Sequence, residues 1–219
     1  MGSRRSFEEQ LETLQRGVLK MGAYVTEAIH RAVDSLVRLD EQLARDVIAG
    51  DDTVDRMLVD LEKGCLQVMA LHQPMARDLR RVGAVLKIVT DLERIADHAT
   101  DIAMVTLHLQ GDTLIKELVD IRRMAELVQQ MTMEALEAYI HQDVERARRM
   151  IAMDDEVDRI HSALFDELLV IMQARPETVK QATYLILVSM YLERVGDHAT
   201  NLGEWTIYLV TGELKDLNR

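Results

Sequence analysis

Glu93, Asp97 and Asp101 are spaced four residues apart. On an α-helix turning about 100° per residue, that spacing stacks the three carboxylates on one stripe about 80° wide. One hundred residues later Glu193, Asp197 and Asn201 repeat the spacing, and Glu204 extends the stripe where the first copy has Met104. Leu92, Ile95, Ala96, Ala99, Ile102 and Ala103 fill the adjoining arc, so the acids border an apolar face rather than oppose it. Like charges one turn apart repel, and more strongly once partly desolvated. A chain that builds this arrangement twice needs compensation, and a multivalent cation is one source, because oxygen-rich clusters suit hard ions. Asp51, Asp52 and Asp55, with their counterparts Asp154, Asp155 and Asp158, are placed to complete each cluster from a neighbouring helix. Two rival readings stand beside this one. Acids at a helix start serve as N-caps and dipole partners, which suits Asp51, Asp52, Asp154 and Asp155. Salt bridges to Arg or Lys of another helix would equally satisfy the Glu/Asp pairs. Arg94, Arg194, His98 and His198 lie further round the helix and are less well placed to join.

These residues belong to a longer duplication. Leu92-Glu93-Arg94-Ile95-Ala96-Asp97-His98-Ala99-Thr100 returns as Leu192-Glu193-Arg194-Val195-Gly196-Asp197-His198-Ala199-Thr200, identical at seven of nine positions. Residues 50–57 match residues 153–160 at an offset of 103, and the two prolines, Pro74 and Pro176, fall between the matched blocks in each copy. Packing alone would preserve only the apolar positions, so repeated charges point to a repeated chemical role. The chain reads as two homologous halves, 1–108 and 113–219.

Composition narrows the classes. Aromatic residues make up 4% of the 219, with 13 Met and abundant Leu, Ala, Glu and Arg, the vocabulary of helices. A net charge of −12 argues against nonspecific nucleic-acid binding and against adhesion to anionic lipid, and favours cations or basic protein surfaces. The one cysteine, Cys65, excludes an intramolecular disulfide and a cysteine zinc site. The longest apolar stretch, Tyr184 to Leu192, is interrupted by Ser189 and falls short of the ~18 residues that span a bilayer. With no leader-like opening segment, the expectation is a cytoplasmic protein without membrane insertion.

The elements that must position the acids are helices. The pattern predicts one from about Phe7 to Val37, a short one capped by Asp40 and stopped at Gly50, a third to about Leu71, and a fourth from Met75 to His108. The second half predicts 114–140, 144–152, 155–173 and 177–210. No stretch alternates long enough to make a strand. The fold class is therefore all-α: two homologous three-helix bundles in tandem.

The extended motifs Asp91-Leu92-Glu93-Arg94-Ile95-Ala96-Asp97-His98 and Tyr191 through Glu204, together with Gln73-Pro74-Met75-Ala76-Arg77-Asp78-Leu79-Arg80, resemble the PhoU family of phosphate-signalling regulators over essentially the full length. The resemblance implies that the two bundles are related by a pseudo-twofold, and that the protein is a cytoplasmic, non-enzymatic adaptor and negative regulator. Its implied partners are a phosphate-responsive histidine kinase and the ATPase subunit of the phosphate ABC transporter, and its implied assembly is a homodimer. It also implies carboxylate sites for iron, zinc, manganese or magnesium, carried here by Asp55, Glu93, Asp97 and Asp101 in the first half and by Asp158, Glu193, Asp197, Asn201 and Glu204 in the second. Arg80 has no equivalent in the second half, so a partner-binding role for it would belong to one half only.

Two alternatives remain at this level. One is a metal-free helical scaffold. The other is a di-iron carboxylate enzyme, whose E-x-x-H pairs would be Glu27–His30 and, approximately, Asp158–His161. These fail the symmetry of the duplication, since His30 aligns with Met133 and His161 with Leu58.

Overall fold

A computed structural model describes the backbone of residues 2–213 and the side chains of 4–213. Met1 and Arg219, the expected outer bounds of the two halves, lie outside the described residues. Within them the chain is helical, and no strand occurs. Helices α1 (Gly2–Arg38), α2 (Glu41–His72) and α3 (Arg77–His108) form the first bundle. The second comprises α4 (Val119–His141), the short α5 (Val144–Ile151), α6 (Asp154–Ala174) and α7 (Val179–Thr211), with a 3-10 turn over Pro176–Thr178.

The apolar spacing decides which faces are covered. On α1, Leu11, Val18, Met21, Val25 and Ile29 are fully buried. They meet Val54, Leu61, Cys65 and Val68 of α2 and Val85, Ile88, Leu92 and Ile95 of α3. Each such side chain contributes about 1.5–3 kcal/mol on leaving water. One contiguous core runs through both bundles, because α1 packs on α4 and α3 on α7 across the pseudo-twofold.

The equivalent caps Asp40 and Asp143 behave as their positions require: Leu43 N donates to Asp40 Oδ1 at 3.0 Å, and Arg146 N donates to Asp143 Oδ1 at 2.9 Å. Gly50 does not stop a helix. The chain runs through it as part of α2, where a Cβ would meet nothing, and Asp51 turns its carboxylate sideways toward Thr100 instead of capping. The second half does break, after Ile151.

Residues 114–118, predicted as helix, are irregular. Buried Gln181 holds this segment, its Oε1 accepting from Ile115 N at 2.6 Å while its Nε2 donates to Thr113 O at 3.1 Å. With its backbone groups engaged by α7, the connection cannot also join the hydrogen-bond ladder of α4.

The packing that matters most for function is α3 against α7. They run antiparallel, so Arg80 lies by Gly212, Lys87 by Trp205, Asp91 by His198, His98 by Tyr191 and His108 by Tyr184. This polar and aromatic seam sits between the two motif helices.

Candidate functional site

Two acidic patches flank the seam. In the first, Glu93 and Asp97 of α3 face Asp51 and Asp55 of α2. The Glu93 carboxyl is raised above its ordinary range, first by burial and then by the negative charges of Asp97, Asp55 and Asp51. Asp51 is raised for the same reasons, burial first, then Asp55 and Asp97, with a hydrogen bond to Thr100 acting the other way. In the second patch, Glu193 and Asp197 of α7 face Asp158 of α6, with Asp155 beside Asp158 on the same helix. Burial again raises Glu193 and Asp158, and Asp197 adds to both.

The repulsion is partly relieved from the same helix, by arginines whose helical angle points them away from the acids. Arg94 reaches back to Glu93 at 3.4 Å and forward to Asp97 at 3.1 Å, and Arg194 does the same with Glu193 at 3.7 Å and Asp197 at 3.5 Å. A guanidinium on a long stem covers the 100° that separates it from its neighbour on the helix. Each arginine is about 57–58% exposed, so water screens its charge, and Glu93 and Glu193 stay raised despite it.

The patches differ by one group that the duplication does not repeat. His161, one turn beyond Asp158 on α6, draws the Asp158 and Glu193 carboxyls back down. Its Nδ1 lies 3.0 Å from Ser189 Oγ. The first half has Leu58 and Val89 at these two places, so comparing the halves hides the histidine, whereas its i+3 spacing from Asp158 points to it. Glu27 and His30 are elsewhere, lining a cavity of about 640 Å³ between α1 and α4, so the two E-x-x-H-like pairs are not brought together.

Of the other expected site residues, Asp101 and Asn201 turn to the seam. Asp101 Oδ2 is 3.4 Å from His98 Nδ1, and Asn201 Nδ2 donates to Asp91 Oδ1 at 3.1 Å. Glu204 stands seven residues past Asp197, about 10.5 Å along α7, where α5 packs close enough that a Cβ on Gly203 would lie 2.6 Å from Met150 Cε. Arg80 is half-buried. Its Cζ lies 3.5 Å from where a Cβ on Gly212 would sit, at the left-handed C-cap of α7, a placement that suits a cation.

At the seam itself, Asp91 Oδ1 accepts from His198 Nδ1 at 2.9 Å as well as from Asn201. The pseudo-equivalent pairing is Tyr191 stacked on His98, ring centroids 5.7 Å apart. The two histidines lie 5.9 Å from each other. Burial depresses the His98 imidazole, with Asp101 working against it and His198 with it.

Oxygen donors in the first patch, and oxygen donors with an imidazole in the second, suit a hard or borderline cation in kind. Among the described residues no three such side chains converge on a single point, so holding an ion would require them to swing together.

The architecture and both motifs find their match in known proteins. The PhoU domain matches residues 18–106 and again residues 121–206. This chain belongs to the PhoU family. A PhoU homologue of Clostridium acetobutylicum, described as a phosphate-specific transport system accessory protein, is 38% identical over 99% of both chains. One from Aquifex aeolicus, described in the same words, is 39% identical over 94% of this chain and 93% of its own. Two crystal structures superpose with a TM-score of 0.90: the phosphate transport system regulatory protein PhoU of Streptococcus pneumoniae, 29% identical over 96% of this chain and 100% of the other, and PhoU of Pseudomonas aeruginosa, 34% identical over 94% and 100%. As a PhoU-family member, the chain carries the family domain twice, each copy contributing one acidic patch.

Proposed function

We propose that this protein is a non-enzymatic regulator accessory to phosphate transport, keeping the phosphate-starvation response off while phosphate is plentiful. The observation that carries the reading is the full-length match to PhoU relatives described as accessory proteins of phosphate-specific transport. On this reading it is a cytoplasmic adaptor, a homodimer, that contacts the ATPase subunit of the phosphate transporter and the phosphate-responsive histidine kinase. No described helix is long and apolar enough to cross a membrane. The acidic patches then serve as cation sites, with Asp55, Glu93 and Asp97 in one and Asp158, Glu193 and Asp197 in the other as ligands, and iron, zinc, manganese or magnesium as the ion.

Deleting the gene tests the regulatory reading. Phosphate-starvation genes should switch on in phosphate-rich medium, and the intact chain should restore repression. An unchanged response in a strain with no second copy would overturn it.

A further inference from the structure

The register of the duplication continues beyond the acids. Leu86 and Leu79 lie seven and fourteen residues before Glu93 on α3, and Leu66 lies eleven after Asp55 on the antiparallel α2. In the second half Ile186 and Val179 stand seven and fourteen before Glu193, and Leu169 eleven after Asp158. Heptad spacing keeps these positions on the face that carries the carboxylates, so each patch gives way along its helix pair to a mainly apolar strip, interrupted in the first half by Glu62 where the second has Phe165. The outer positions are open to solvent: Leu66 is 60% exposed, Leu79 45%, Leu169 38% and Val179 45%. Leu86 and Ile186 are half-buried and rest on the core.

Scattered exposed leucines are ordinary. Apolar side chains kept at the same exposed register in both halves are not, because neighbouring surface positions have diverged freely, as Asp60 against Ala163 and Lys63 against Asp166 show. Nothing in the chain's own core requires them.

We propose that each strip, with its acidic patch, is a docking site for one cationic amphipathic helix of a partner protein. Leucine-like side chains would fill the strip, and Lys or Arg about two to three turns away would lie over the carboxylates. Charge complementarity selects this occupant. The first patch sets the four carboxylates of Asp51, Asp55, Glu93 and Asp97 against the one guanidinium of Arg94, and the chain as a whole is at −12. A second copy presenting the same face, an anionic membrane and a nucleic acid would all be repelled. The inference rests on the adaptor reading and says where the adaptor would hold its partners.

The probe is a short leucine–lysine peptide with all its leucines on one helical face, followed by fluorescence anisotropy against the full-length protein at physiological salt. Two equivalents should bind per chain, about tenfold more tightly than a scrambled peptide of the same composition. Leu66→Ser with Leu79→Ser should remove one equivalent, and Leu169→Ser with Val179→Ser the other, with little change in melting temperature because these side chains are exposed. Gly83→Lys supplies a variant that removes no contact, since a Cβ there meets nothing. It should weaken the first site by placing a cation beside the strip. Equal binding of the two peptides, or unchanged stoichiometry in the serine variants, would overturn the proposal. So would a dimer that dissociates in those variants, since the strips would then join two copies of this chain. In cells, a deletion that activates the starvation genes but is fully complemented by the four-serine variant would dismiss the strips and leave the adaptor reading standing.

Discussion

Asp91 of the first motif helix accepts hydrogen bonds from both His198 and Asn201 of the second, at 2.9 and 3.1 Å. One carboxylate, 13% exposed, thus ties the two halves at their pseudo-twofold. The duplicate of Asp91 is Tyr191, which meets its opposite histidine by stacking instead. The seam is therefore fastened by charge on one side and by ring contact on the other.

Asp91→Ala should lower stability by about 1–3 kcal/mol, measured from urea unfolding, because it removes two hydrogen bonds to a largely buried carboxylate and leaves their donors unpaired. The one tryptophan reports on the same seam. Trp205 lies one turn beyond Asn201 with Lys87 Nζ 5.6 Å from its ring centroid, so its emission should shift in the variant. An unchanged unfolding midpoint would show that the seam is held by packing alone.

The acidic patches oppose folding at neutral pH. Asp51, Glu93, Asp158 and Glu193 all have native carboxyls raised above the ordinary range, so the folded protein takes up protons more readily than the unfolded chain. Their contribution to stability is fully present below the unfolded carboxylate range, near pH 4, and is lost as pH rises through the native values. Glu93→Gln with Glu193→Gln should therefore raise the melting temperature at pH 7 by about 2–4 °C, the shift ~1 kcal/mol produces in a chain of this size. The gap should close on acidification. A gap independent of pH would contradict the raising of these carboxyls by burial and by their neighbours' charge.

If the patches take up cations, adding manganese, zinc or iron should raise the melting temperature by mass action, since only the folded chain assembles the carboxylates. The stabilisation would be about 2.7 kcal/mol at a hundredfold excess over Kd. Asp97→Asn and Asp197→Asn should each diminish it. A double variant that binds the same number of ions with unchanged affinity would leave the acids without that role.

Gly196→Ala should cost about 1–3 kcal/mol, although its counterpart in the first half is already Ala96. A Cβ at 196 would lie 2.6 Å from Oδ1 of buried Asp154, with Val157 and Val128 behind it. The reverse change, Ala96→Gly, should cost about 1 kcal/mol through helix propensity. Equal effects from both changes would mean that the second patch is no more tightly built than the first.

Much of this architecture is legible in the order of the residues. The i, i+4 spacing of Glu93 and Asp97, and of Glu193 and Asp197, puts each pair on one stripe, and the duplication yields two bundles. Asp40 is readable as a cap because capping is a contact over three residues. Gly50 misleads, since glycine permits a left-handed stop without requiring one, and here the helix runs on. Arg94 misleads because helical angle locates a Cβ, whereas an arginine stem carries its charge well past it.

Spacing along the chain specifies the helices, the repeat and the pairing of acids, because each depends on contacts within a turn or two. Long-range packing alone brings Asn201 to Asp91 at the seam, pins the connection at 113–115 with Gln181, and brings His161 to Ser189 beside one patch and not the other. Those relations span between 28 and 110 residues, Asn201 finding Asp91 on the other motif helix. Which partner each side chain meets depends on how the long helices slide and rotate against one another. The summed packing of a core shared by both halves fixes that register, and no local spacing encodes it.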